Sequence, residues 1–211
     1  MSSLLMLNSE PCQRHQLPDG ELFYYPQWVS DPPSLFEHLQ QTIPWRQDWI
    51  SLYGKRHPLP RLTAWYGDPG AAYTYSGIAM APQPWTPTLA RLKAALESVA
   101  GVPFNSVLLN YYRHGRDSMG WHSDDEPELG PNPVIASLSL GGSRRFVLRH
   151  KSKPQLAKLD LTLASGSLLI MAAATQHHWQ HRVPKTTKPV APRINLTFRC
   201  IHRQSPENFT D

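Results

Sequence analysis

The spacing of apolar positions changes part-way along the chain. From Ser106 onward, apolar and polar residues alternate with a period of two. Val107–Tyr112, Val134–Leu140, Arg145–His150, Leu156–Leu163, Ser167–Met171 and Arg193–Ile201 all read as strands. Gly141-Gly142-Ser143 and Ala164-Ser165-Gly166 supply turns between them. Before this region the period is helical or absent. Thr86–Ala100 carries Leu89, Leu92, Leu96 and Val99 as one stripe, with Thr86 to cap, Pro87 at the first helical position and Gly101 to end it. A shorter helix is expected at Ser34–Gln41, between Asp31-Pro32-Pro33 and Pro44. Residues 1–30 read as irregular. Residues 45–85 hold a dense aromatic set (Trp45, Trp49, Tyr53, Trp65, Tyr66, Tyr73, Tyr75 and Trp85), which fits either a small aromatic core or a recognition lid. Many short strands joined by tight turns imply a mainly β domain, a sandwich, jelly roll or barrel, with flanking helices.

Length and composition narrow this further. The 211 residues are expected to form a single domain, 1–211, with no internal repeat. Hydrophobic residues at 40% and charged residues at 18% describe a globular chain, not a disordered one. The longest apolar run, Leu168–Ala174, is far short of the about 20 residues that span a bilayer, so no membrane partner is expected. Cys12 and Cys200 alone make neither a disulfide framework nor a zinc site, and a reducing cytoplasm is the expected setting. A formal charge of +5 fits a polyanionic partner. Without a P-loop or GxGxxG, a nucleotide cofactor has no support.

The candidate chemistry begins at Trp121-His122-Ser123-Asp124. On an extended segment residues i and i+2 point the same way, so His122 and Asp124 can grip one ion. A third ligand is available in Gln176-His177-His178-Trp179-Gln180-His181. Two imidazoles and one carboxylate with open positions make the facial triad of non-haem Fe(II) oxygenases.

The last strand supplies independent support. Arg193, Asn195, Thr197 and Arg199 share one face, and Ile194, Leu196, Phe198 and Cys200 share the other. A polar face with two arginines is costly if it points inward unpaired, and makes sense if the interior holds an anion. Six strand steps of about 3.3 Å separate the two Arg Cα atoms by roughly 20 Å. If each side chain covers roughly a third of that gap, the remainder suits a five-carbon dicarboxylate with a guanidinium at each end. Asn110 and Tyr112 project together from another strand and can hydrogen-bond the same molecule.

These motifs together resemble the AlkB family of Fe(II)/2-oxoglutarate dioxygenases. The matching stretches are Asn110–Gly115, Trp121–Glu126, Ala136–Gly141, His178–His181 and Pro192–Arg199, in the family's order. The resemblance implies a double-stranded β-helix over about 104–203, with a nucleotide-recognition lid over about 45–85. It implies His122, Asp124 and His181 as iron ligands, selecting His181 over His177 and His178. Asn110, Tyr112, Arg193, Asn195, Thr197 and Arg199 match positions that hold 2-oxoglutarate. In the lid, Arg61, Tyr73, Tyr75 and Ser76 fall where the branch repairing duplex DNA contacts its substrate. Tyr53 falls at a hairpin tip that wedges into the duplex, and Asp125 at a position that contacts the base. The implied activity uses Fe(II), 2-oxoglutarate and O2 to demethylate bases such as 1-methyladenine and 3-methylcytosine in DNA, releasing formaldehyde, succinate and CO2. RNA as substrate, or hydroxylation of a protein or small molecule, are the alternatives. A monomer without a protein partner is expected.

Overall fold

The computed structural model describes residues 12–52, 55–71, 73–75, 78–80 and 82–202. Along the chain run β1 (Gln13–Leu17), β2 (Gly20–Tyr25), α1 (Pro32–Thr42), β3 (Trp49–Leu52), β4 (Lys55–Pro58), β5 (Leu62–Gly67), β6 (Tyr73–Tyr75), β7 (Ile78–Met80) and α2 (Pro87–Ala100). The second half adds β8 (Ser106–Tyr112), β9 (Met119–His122), β10 (Ile135–Gly141), β11 (Arg144–His150), β12 (Leu159–Leu163), β13 (Leu168–Ala172), α3 (Thr175–His178), β14 (Trp179–Val183) and β15 (Arg193–Arg199). A large antiparallel sheet has the order β1-β2-β13-β10-β15-β8-β5, and a small one the order β12-β11-β14-β9. Two hairpins, β3-β4 and β6-β7, stand apart from both. The arrangement is the jelly roll that the family resemblance implies, one of the three architectures the strand pattern allowed.

The two faces of the large sheet do different work. Its outer face is covered by α1 and α2. Leu35 and Leu39 from α1 and Leu89, Leu92 and Leu96 from α2 pack against Leu138, Leu140, Val107, Ile194, Leu196 and Phe198. Each such leucine, fully buried, contributes about 1.5–3 kcal/mol. The helix ends are fixed as the sequence predicts. Thr86 Oγ1 accepts from Leu89 N–H at 3.2 Å, and Gly101 closes α2 at φ 70°. The inner face meets the small sheet across a second cluster of Leu22, Ile135, Phe146, Leu148, Leu169, Met171, Trp179 and Val183. The polar face of β15 also opens into this inter-sheet space.

Three expectations are corrected. Residues 1–30 are not irregular throughout: β1 and β2 pair as a hairpin, and β2 joins β13 in the large sheet. β2 is covered on both sides, Leu22 and Tyr24 facing the small sheet and Phe23 and Tyr25 facing the helices, so it lacks a polar alternation. Within 45–85, β5 is no part of a separate lid but pairs with β8. The strand expected from Leu156 starts only at Leu159.

Candidate active site

The register of the small sheet assembles the triad. β9 and β14 run antiparallel with His122 directly opposite His181. Their rings meet edge to face with centroids 4.2 Å apart. Asp124 follows β9 by two residues, and its N–H donates to Oε1 of the fully buried Gln176 at 2.9 Å. One ligand atom from each of His122, Asp124 and His181 lies within 4.8 Å of the others. His122 Nδ1 is 3.0 Å from the Gly120 carbonyl, which places the proton on Nδ1 and leaves the Nε2 lone pair free for a metal. Phe146 stacks on the other side of His181, centroids 5.1 Å apart.

The charges are set for a metal. Burial drives the His181 imidazole down to about 3, and neighbouring His122 adds to this. Burial likewise lowers His122. Burial pushes Asp124 upward, but Arg199, His181 and His122 together outweigh it and hold the carboxyl at about 2. At neutral pH the triad is therefore two neutral imidazoles and one carboxylate. Arg199 Nη2 donates to Asp124 Oδ1 at 2.7 Å, and Oδ2 faces His181 Nε2 at 3.9 Å. One oxygen is thus held by the arginine while the other points to the shared space.

The polar face of β15 lines the same cavity. Arg193, Asn195, Thr197 and Arg199 all front it, with Asn110 and Tyr112 from β8 and Ser137 from β10. Asn195 Nδ2 donates to Ser137 Oγ at 2.8 Å, and Thr197 Oγ1 donates to Asn195 Oδ1 at 3.0 Å. Arg193 is 1% exposed and donates through Nη2 to Ser139 Oγ at 2.9 Å. Its Nε and Nη1 have no hydrogen-bond partner among the described residues. Burial lowers its pKa to about 10. A fully buried guanidinium with no carboxylate partner among the described residues, at the end of the cavity away from the triad, is what a dicarboxylate would complete. The residues present therefore fit both Fe(II) and 2-oxoglutarate.

Other expected residues fall less simply. Arg61 is buried, 2% exposed, and its Nε donates at 2.7 Å to Oδ1 of the cavity-lining Asn110, without lining the cavity itself. Asp125 is exposed and paired with Lys151. Tyr53 and Ser76 lie outside the described residues, as do the side chains of Tyr73 and Tyr75 on β6. His177 and His178 stand apart from the triad. His177 Nε2 accepts from Asn132 N–H at 3.0 Å, and His178 stacks on His150. The sequence reading missed Gln176, Phe146 and the serines of β10. Ser137 and Ser139, two polar positions in an otherwise apolar strand, were the available signal.

Comparison with known proteins decides the family. The family described as the 2OG-Fe(II) oxygenase superfamily matches residues 21–199. Mouse DNA oxidative demethylase ALKBH2 is 41% identical over 181 residues, covering 82% of this chain and 76% of that protein. The chain belongs to the AlkB branch of the 2OG-Fe(II) oxygenase superfamily. Human alpha-ketoglutarate-dependent dioxygenase alkB homolog 3 is 46% identical over 182 residues, 82% of this chain, and human ALKBH2 is 46% identical over 158 residues, 72% of this chain. The chain spans only 63% and 60% of these two human relatives. A solved structure described as OsALKBH1 superposes with a TM-score of 0.60 at 19% identity, covering 90% of this chain and all of that one, which supports the fold. No helix among the described residues is long and apolar enough to cross a membrane.

Proposed function

We propose that this AlkB-branch chain removes N-methyl groups oxidatively from alkylated bases in DNA. The observation carrying the reading is the joint cavity: an open His122-Asp124-His181 triad at one end and the uncompensated Arg193 at the other. Bound there, Fe(II) and 2-oxoglutarate supply, with O2, the oxidation of the methyl carbon that ends in formaldehyde, succinate and CO2. The chain's own part is placement. The neutral imidazoles of His122 and His181 and the Asp124 carboxylate would hold the metal. Arg193 would take the far carboxylate of the dicarboxylate, with Asn110 and Tyr112 orienting it. Arg199 keeps Asp124 ionised and aimed. DNA as the polymer is supported by the relatives named DNA oxidative demethylase. The lesion sits on the pairing edge and weakens pairing, so extruding the damaged base costs less than extruding a sound one.

The test is 2-oxoglutarate turnover with methylated DNA, methylated RNA of the same sequence, and methylated peptides. Stimulation and formaldehyde release with the DNA strand are expected. Stimulation by RNA or peptide alone would overturn the assignment.

A further inference from the structure

A further buried arginine stands behind the cosubstrate end of the cavity without fronting it. Arg144 opens β11, and the strand's period of two puts it on the inner face with Phe146 and Leu148. It is 4% exposed. Its guanidinium lies over the Tyr112 ring, 5.7 Å from the centroid, and Arg193 lies over the same ring at 5.3 Å. Its hydrogen bonds go to neutral backbone carbonyls. Nη2 donates to Asp117 O at 2.8 Å and to Pro184 O at 2.7 Å, and Nη1 to His114 O at 3.4 Å. The Asp117 carboxylate itself is engaged by Arg113, through Nε at 2.8 Å and Nη2 at 3.0 Å. Burial lowers the pKa of Arg144, and its charge adds to the larger effect of burial on Arg193. A neutral side chain could donate to carbonyls at less cost, so the buried charge itself calls for a use.

We propose that Arg144 is a positioning residue whose charge, held behind Tyr112, makes the cavity prefer a 2-oxo acid with a second carboxylate. Arg193 meets that carboxylate directly, and Arg144 adds to the field from behind the shared ring. End to end, the two ring distances keep the guanidiniums within about 11 Å of each other, and at an effective dielectric of about 20 a unit charge over that span changes affinity about tenfold. The carbonyls fix where the charge sits. His114 and Asp117 belong to the connection that leaves β8 after Tyr112, and Pro184 to the connection that enters β15 at Arg193. One guanidinium thus ties β11 to both strands whose side chains front the far end of the cavity. A 2-oxo acid with a single carboxylate places no charge at that end and gains nothing from Arg144. The inference rests on 2-oxoglutarate as cosubstrate; wild-type binding tests that reading and the variants test this one, so the two fail separately.

The experiment is anaerobic calorimetric titration of the Fe(II)-loaded protein with 2-oxoglutarate and with 2-oxopentanoate, which has the same 2-oxo acid end and no far carboxylate. Arg144→Gln is expected to weaken 2-oxoglutarate about tenfold and to leave 2-oxopentanoate unchanged. Arg144→Lys keeps the charge but cannot reproduce the fork to three carbonyls. It should melt below wild type and still bind 2-oxoglutarate within about threefold of it, so charge and clamp separate even where Arg144→Gln fails to fold. Arg145→Gln, the adjacent exposed position paired with Asp160, should leave both affinities at the wild-type values. The proposal is overturned if Arg144→Gln binds 2-oxoglutarate as wild type does, if it weakens both acids equally, or if Arg144→Lys loses 2-oxoglutarate tenfold or more.

Discussion

Replacing Arg193 by methionine should move stability and cosubstrate binding in opposite directions. Burial holds this guanidinium at about 10 instead of its ordinary 12.5. At about 1.36 kcal/mol per pH unit, the charged form costs roughly 3 kcal/mol in the protein without cosubstrate. An assay near neutral pH lies below both values, so arginine is protonated whether the chain is folded or not. The penalty is therefore fully present there, and lifts only as pH climbs past about 10. Methionine fills a similar volume without charge. It forfeits the hydrogen bond to Ser139 Oγ and the stacking on Tyr112, together about 1–2 kcal/mol. The net expectation is a gain of roughly 1–2 kcal/mol, or about 3–6 °C in melting temperature for a chain of this size. Binding goes the other way. Removing one member of a buried charge pair costs about 2–5 kcal/mol, so the KM for 2-oxoglutarate should rise at least about thirtyfold. Anaerobic melts with Fe(II), with and without 2-oxoglutarate, report both effects: the variant starts higher and gains nothing from the ligand. A variant that melts lower than wild type while retaining the ligand-induced shift would refute the reasoning.

Other substitutions test the remaining parts of the site. His122→Ala, Asp124→Ala or His181→Ala should each abolish turnover and weaken iron binding in anaerobic titration, whereas His177→Ala and His178→Ala should retain iron; the reverse pattern would reject the triad. Gln176→Leu leaves the Asp124 N–H unpaired in a buried place, so it should cost about 1–3 kcal/mol of stability and lower metal affinity about 10–100-fold; unchanged metal titration would show that Gln176 does not position Asp124. The metal-free protein should lose stability as pH falls, because the unfolded chain takes up a proton near the ordinary 6.5 of histidine that folded His181 refuses until about 3. Between pH 7.5 and 5.5 this residue accounts for about 1.4 kcal/mol, or roughly 3–5 °C. Asp124 shifts in the opposite sense to a histidine gaining a partner, and its contribution is lost only below its ordinary 3.8, outside this window. Melts of wild type and His181→Asn over that range should differ in slope, and parallel curves would contradict the shift.

What could be read from the sequence follows a physical division. β15 was legible because its two faces meet different surroundings: Ile194, Leu196 and Phe198 meet the helices, Arg193, Asn195, Thr197 and Arg199 the cavity. That contrast writes a period of two into the chain. β2 and β5 are covered on both sides and carry no such contrast, so composition alone did not mark them as strands. The third metal ligand was ambiguous for another reason. His177, His178 and His181 lie within five positions, and only pairing between β14 and β9 sets His181 opposite His122. Register is a long-range property, and family resemblance, not spacing, selected the residue. Gln176 was missed on the same ground: its partner Asp124 is 52 positions away in sequence.

The charges lining the cavity favour an oxygenase over a closed structural metal site. Arg193 and Arg199 front it with a single carboxylate, Asp124, while burial keeps both imidazoles neutral. The lining therefore sums to +1 before any metal arrives. A dication raises it to +3 in a space where each unpaired charge is expensive. A structural zinc site avoids this by closing four positions with cysteine and histidine, its thiolates neutralising the ion. Here the described residues provide three ligands, and the nearest further group to Asp124 is the cation of Arg199. Only an added anion relieves the excess, and a dicarboxylate returns the sum to +1 while satisfying Arg193. The same two arginines thus make the cavity selective: the metal gains most when the dicarboxylate is present, and by reciprocity the dicarboxylate gains from the metal.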